Sequence, residues 1–146
     1  MKRVVCGIAD NVGTVLLAEA PPQRNLPGDS GGVSQEIWAT AGAPTTATGD
    51  IACDLAVNAR LDPGETRFRV VTFPAGHTSQ LHRTRTIDYG VILEGRIELE
   101  MADGSSQLLE VGDCMVQLGG MHIWRTPSES SATIAFVMVG ATRPEI

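Results

Sequence analysis

Few of the signals that commonly reveal a function are present in this sequence. Basic residues are scarce: 11 Lys and Arg stand against 17 Asp and Glu, and the net charge of −6 leaves no clustered cations for a phosphate backbone. Arg83 and Arg85 are close in sequence, but two arginines do not make a nucleic-acid patch. No nucleic-acid partner is expected. Cysteine is odd in number, with Cys6, Cys53 and Cys114 and no C-x-x-C pair. That excludes a disulfide framework or a zinc knot and implies reduced thiols in a cytosolic protein. Cys114, inside a strand pattern, reads as a small buried hydrophobe. No apolar run approaches the roughly 18 residues of a membrane span. The run Val4–Ala9, behind Lys2 and Arg3, is too short for a signal-peptide core and stops at Asp10. A cytoplasmic location without a membrane partner is the expectation. Nucleotide-binding loops of the G-x-x-x-x-G-K-[ST] or G-x-G-x-x-G kind are missing. So is a G-x-S-x-G elbow, and Ser79 lies on an ordinary loop, which leaves a Ser-His-Asp hydrolase unsupported. Self-similarity at a fixed repeat length is absent.

What the chain does have is strand pattern. Its 146 residues, 42% hydrophobic and 19% charged, suit one globular domain with a single core. Arg3–Ala9 and Thr14–Ala18 are β-branched runs around a turn at Asp10–Gly13, which reads as a hairpin. Pro21–Gly32 is a Pro- and Gly-rich loop, and Val33–Thr40 a short strand with Trp38 near its end. Ala41–Gly49 is a connector of Ala, Thr, Gly and Pro, and Ile51–Arg60 suggests one or two helical turns. Leu61–Gly64 is a turn. Strands then follow at Thr66–Phe73, Tyr89–Leu93, Arg96–Met101, Gln107–Val111, Cys114–Leu118, Met121–Arg125 and Ala132–Val139. Ile97, Leu99 and Met101 alternate with Glu98 and Glu100, giving one buried and one wet face. Ala132–Val139 is apolar at both parities and should be covered on both faces. So many short strands with frequent turns predict an all-β fold, an antiparallel barrel or double-sheet jelly roll. Residues 1–65 are expected to form a hairpin, strand and loop extension packed on a barrel core of residues 66–146, one domain overall.

The stretch Pro74–Gly95 carries the chemistry. From Gly76 it reads glycine, five residues, His82, one residue, Thr84, three residues, Asp88, six residues, Gly95. This resembles the first motif of the cupin superfamily, G-x5-H-x-H-x3-E-x6-G, with Thr84 at the second histidine and Asp88 at the glutamate. The second motif, G-x5-P-x-G-x2-H-x3-N, is echoed by Gly112–Thr126, which keeps Gly112, Gly119 and His122. Gln117 lies near its proline position and Thr126 replaces asparagine. The resemblance spans roughly residues 66–140 and includes Glu36–Thr40 as the upstream strand of small one-domain cupins. It implies a double-stranded β-helix, in agreement with the periodicity.

Strand alternation puts His82 and Thr84 on one face and Arg83 and Arg85 on the other. If the cupin topology holds, His82, Asp88 and His122 reach one cavity as a 2-His-1-carboxylate set for a divalent metal ion. Iron, zinc, manganese and nickel all accept such donors, so the metal's identity is open. The bland reading stands beside it: threonine for histidine removes a strong ligand, aspartate is a methylene shorter than glutamate, and some cupins hold an organic ligand without metal. Asp88 would then be a general base. His77 either replaces the missing ligand from the barrel mouth or is a solvated loop histidine. Trp124 shares the parity of His122 and is an aromatic wall of the site or a core tryptophan. Gln117 offers its amide to a ligand or caps the turn before Gly119. Tyr89 should pack outside. Arg69 could reach a substrate carboxylate, although Arg67 and Arg69 on one face are more often exposed.

The resemblance implies a small cupin-type enzyme acting on a carbonyl- or enol-bearing molecule, as a dioxygenase, isomerase, dehydratase or cyclase. Asp88, Gln117 and Trp124 would be the catalytic candidates, and His82, Asp88 and His122 the metal ligands. The alternative is a non-catalytic, metal-free module that binds a small ligand. A homodimer is expected in either case, because the doubly apolar last strand needs a partner surface.

Overall fold

The computed structural model describes residues 1–9, 12–27, 31–42 and 60–142. Among these every regular element is a strand: β1 Arg3–Ala9, β2 Val12–Glu19, β3 Gln23–Asn25, β4 Val33–Thr40, β5 Thr66–Phe73, β6 Thr86–Glu94, β7 Arg96–Met101, β8 Ser106–Glu110, β9 Cys114–Gln117, β10 His122–Arg125 and β11 Ala132–Gly140. The expected connector and helical turns fall largely on 43–59, outside the described residues.

All pairings are antiparallel. A six-stranded sheet runs β3-β4-β5-β11-β6-β9 and a three-stranded sheet runs β10-β7-β8. The two close on one core. Val71, Phe73, Ile92, Met115, Ile134, Phe136 and Met138 enter it from the large sheet, and Ile97 and Trp124 from the small one. Each such side chain contributes roughly 1.5–3 kcal/mol when fully buried. This is the expected all-β jelly-roll barrel.

β1 and β2 form a separate hairpin. Arg3 ties it down, donating to the carbonyl of Ile37 on β4 at 3.2 Å and to Glu19 at 2.6 Å. β4 is a full member of the large sheet, paired with β5 along its length. The expected Pro21–Gly32 loop contains β3, whose three polar residues carry no strand pattern and hold only by pairing with β4. At the β6–β7 turn, Gly95 has φ of 69° and a Cβ there would lie 2.1 Å from the Ser131 carbonyl oxygen. Only glycine fits that corner.

Two expectations about exposure are overturned. Cys114 is exposed: on β9 the buried parity belongs to Met115 and Gln117, so the thiol pairs with Val91 on the outer face. Arg67 is only 6% exposed and Arg69 is half-buried, because both share the inward parity of Val71 and Phe73. Along the outward side of β11, Thr133 is buried and Ala135 and Val139 are half-buried. Val137 is 40% exposed and lies in a row Phe68–Val137–Tyr89–Val116 across the outside of four strands, each of these residues exposed. Tyr89 packs outside the barrel, as its parity requires.

Candidate functional site

The site begins with a backbone bridge. The segment before β6 runs beside β10, and His82 and His122 exchange both amide hydrogen bonds, at 3.1 and 2.8 Å. Two residues paired in this way project their side chains to the same side. Their rings stand 4.4 Å apart between centroids, tilted by 51°. Two of the three expected ligands therefore meet.

Both rings are held in one tautomer. His82 Nδ1 lies 2.8 Å from the Gln80 carbonyl oxygen, and His122 Nδ1 lies 2.8 Å from that of Gly120. A carbonyl only accepts, so each Nδ1 carries a proton and Nε2 is the ring nitrogen left without that bond. Burial draws the His122 pKa below the ordinary histidine value, a pull that the Gly120 hydrogen bond opposes. The site thus presents two imidazole rings side by side, each with Nδ1 engaged by a backbone carbonyl.

Gln117 fixes the turn that makes this possible. Its Oε1 accepts from the Gly120 amide at 2.9 Å, and its Nε2 approaches the Met101 sulfur at 3.6 Å. Gly119 beside it has φ of 77°, which favours glycine. The amide that was expected to face a ligand or cap the turn caps the turn, and through Gly120 it positions His122.

Asp88 points elsewhere. It accepts from Thr84 Oγ1 at 3.2 Å and makes a short hydrogen bond with Thr86 Oγ1. Thr84, at the position of a ligand histidine, has become a donor to the carboxylate. Among the described residues no three His, Cys, Asp or Glu side chains are grouped closely enough to hold a metal ion. The donor chemistry therefore fits a divalent ion at two positions, His82 and His122, each backed by a carbonyl in the manner of an oriented ligand histidine. Asp88 does not join them as placed.

Trp124 is both core and wall. It is 4% exposed, meets His122 edge-on at 5.8 Å between centroids, and packs against Phe73 and Phe136 at 6.3 and 6.0 Å. His77 is not a solvated loop residue. It is buried against Phe73 at 5.0 Å, and its amide donates to Thr126 Oγ1 at 2.8 Å. Surface grooves of about 540 and 310 Å³ lie at Gly95–Glu110 and at Leu61–Arg85, away from the histidines.

Sequence reasoning missed Thr86, the half-buried Arg24 and the buried charges Glu36 and Arg67. Glu36, 1% exposed, accepts from Ser34 at 2.8 Å and pairs with Arg24 at 3.1 Å and Arg67 at 3.9 Å. The signal was available: Arg67 and Arg69 have the parity of Val71 and Phe73, which no solvent-facing set would share.

No family model matches the sequence. Among curated proteins it is 41% identical over 85 residues to phomopsin biosynthesis cluster protein C' of Diaporthe leptostromiformis, covering 58% of this chain and 45% of that one. It is 31% identical over 102 residues to cupin-domain-containing oxidoreductase srdB of Neurospora crassa, covering 68% of this chain and 52% of that one. The chain spans about half the length of the curated relatives it matches. Among solved structures, an RmlC-like cupin from Shewanella frigidimarina superposes with a TM-score of 0.55 at 14% identity, over 84% of this chain and 86% of that one. Barrel, motif spacing and relatives agree, and the chain belongs to the cupin superfamily.

Proposed function

We propose that this chain is an enzyme that acts on a small organic molecule held inside the barrel, beside the His82–His122 pair. One observation carries this reading: two histidine rings 4.4 Å apart are each bonded through Nδ1 to a backbone carbonyl, which leaves Nε2 of both as the ring nitrogen available to a ligand. A purely structural pair would not need both rings fixed in the same tautomer. The names of the relatives support a tailoring role, since one is a biosynthesis cluster protein and another an oxidoreductase. A redox reaction is thus favoured over isomerisation, dehydration or cyclisation.

A divalent ion, when bound at the two Nε2 atoms, would supply Lewis-acid or redox chemistry at a substrate oxygen. The chain's own residues do the rest. Trp124 forms the apolar wall beside His122, and Gln117 holds the turn that aims it. Asp88, fixed by Thr84 and Thr86, is the carboxylate available to take a proton from the substrate. That same diversion of Asp88 from ligation favours a second reading, a metal-free ligand-binding module.

Metal analysis by mass spectrometry separates the two. The protein should carry about one ion per chain, and His82→Ala and His122→Ala should each lose it while His77→Ala keeps most of it. Full occupancy in the His122→Ala protein would remove the metal from this site; no metal in the wild type would favour the binding module. We further propose a homodimer formed through the exposed Phe68–Val137–Tyr89–Val116 row.

A further inference from the structure

The charges lining the barrel are unevenly paired. Arg24, Arg67 and Arg69 gather on the inner side of β3 and β5; Glu65, just before β5, lies within electrostatic reach of Arg67, while Glu36 and Asp88 are the carboxylates that face the group from inside the large sheet. Both carboxylates are already engaged. Glu36 takes Ser34, Arg24 and Arg67, and Asp88 takes Thr84 and Thr86.

Arg69 is left over. Its Nε is shut off from solvent and makes no hydrogen bond, and no carboxylate among the described residues lies within ion-pair distance of it. Burial draws its pKa below the ordinary arginine value and Glu36 opposes the pull, yet a guanidinium remains charged. A shielded cation without an acceptor is costly, and proteins keep such groups where a ligand supplies the partner.

Arg69 also looks toward the proposed site. Its guanidinium carbon lies 6.0 Å from the centre of the Phe136 ring, and Trp124 meets that same ring at 6.0 Å. Trp124 in turn touches His122. Asp88 lies within electrostatic reach of both Arg69 and His122. Arginine, aromatic wall and imidazole pair therefore border one interior.

We propose that Arg69 recognises a carboxylate on the barrel's small organic ligand, gripping it through the two-pronged guanidinium while the ligand's apolar body lies against Phe136 and Trp124. This rests on the reading of the barrel as a ligand cavity. A planar carboxylate fits better than a phosphate. Arg69 is the guanidinium with no carboxylate within ion-pair distance among the described residues, so one anionic group is enough to partner it, and the fork of an arginine matches carboxylate geometry.

The test uses benzoate and hexanoate, their neutral amides, and inorganic phosphate. Binding is read by calorimetry and by the thermal midpoint of the whole chain. Wild type should bind each carboxylate at least about tenfold more tightly than its amide, with phosphate weaker than benzoate. Arg69→Met should lose this preference. Without ligand, the same variant should melt higher than wild type, because an unpaired shielded charge is gone. Arg69→Lys, which keeps the charge but not the fork, should fall between. Benzoate binding unchanged in Arg69→Met would overturn the assignment, as would tighter binding of phosphate. Equal binding of carboxylates and amides by wild type would sink the Arg69 role while leaving the ligand cavity standing. Failure of every organic probe to bind wild type at millimolar concentration would sink both.

Discussion

Replacing Glu36 by glutamine keeps the shape of the side chain and deletes its charge, at the most enclosed carboxylate in the barrel wall. Glutamine retains one acceptor oxygen, enough for Ser34 or Arg24 but not for all the donors that Glu36 now serves. The two arginines then differ in their escape routes. Arg24, with a side chain 34% exposed, can turn toward water. Arg67, at 7%, cannot, and it loses the strongest of the carboxylates acting on it while Arg24 and Glu65 stay within electrostatic reach. Removing one partner of a buried ion pair typically costs about 3–5 kcal/mol. The 3.9 Å Arg67–Glu36 separation and the rehydration of Arg24 place this case near the lower end, at about 3 kcal/mol. For a chain of this length that is a fall in melting temperature of roughly 6–12 °C. Circular-dichroism melts and urea titrations should agree, with the urea slope unchanged. Adding Arg67→Met to Glu36→Gln should recover part of the loss, since the buried cation that Glu36 helped to neutralise is gone. A fall below about 2 °C would show that Arg67 is not neutralised through Glu36.

Two further outcomes follow from the same geometry. Because burial holds the His122 pKa below 6.5, the unfolded chain takes up a proton on that ring before the folded one does. Stability should therefore fall as pH drops through 6.5 and level off once the folded ring is also protonated. Urea midpoints between about pH 8 and pH 5, measured with a chelator, should show this slope in the wild type and a flatter one in His122→Gln; parallel slopes would reject it. Val137→Lys, which sets a charge in the exposed apolar row, should reduce the light-scattering mass from twice 15.4 kDa to 15.4 kDa, whereas a wild type already at 15.4 kDa would refute the dimer.

The barrel was legible because its strands carry a period-two signal. Ile97 and Leu99 against Glu98 and Glu100 mark β7 as a half-buried strand without any tertiary information. β3 was not legible, since its three polar residues become a strand only when β4 offers them hydrogen bonds. Cys114 went wrong by one step of parity: the inward side of β9 is set by Met115 and Gln117, and a thiol is apolar enough to suit either face. The meeting of His82 and His122 was expected only through the resemblance to the cupin topology, because spacing alone does not say which segments lie side by side in the barrel. The orientation of Asp88 was not. It depends on Thr84 and Thr86, hydroxyls whose rotamers only the folded site determines. The buried arginines were hidden for a related reason. Arginine on alternate positions looks like a wet face until Glu36, from β4, is placed opposite Arg69.

Trp124 reports most directly on the His82–His122 centre, because its ring lies 5.8 Å from that of His122. In a Trp38→Phe background it is the sole tryptophan, so its emission reads one location. Titration of chelator-treated protein with Co(II) should quench that emission saturably, at about one ion per chain, if the two lone pairs hold a divalent ion. In the His82→Ala, His122→Ala double variant the loss should be weak and should not saturate. Equal quenching of the two proteins would contradict the assignment of the histidine pair as the barrel's working centre.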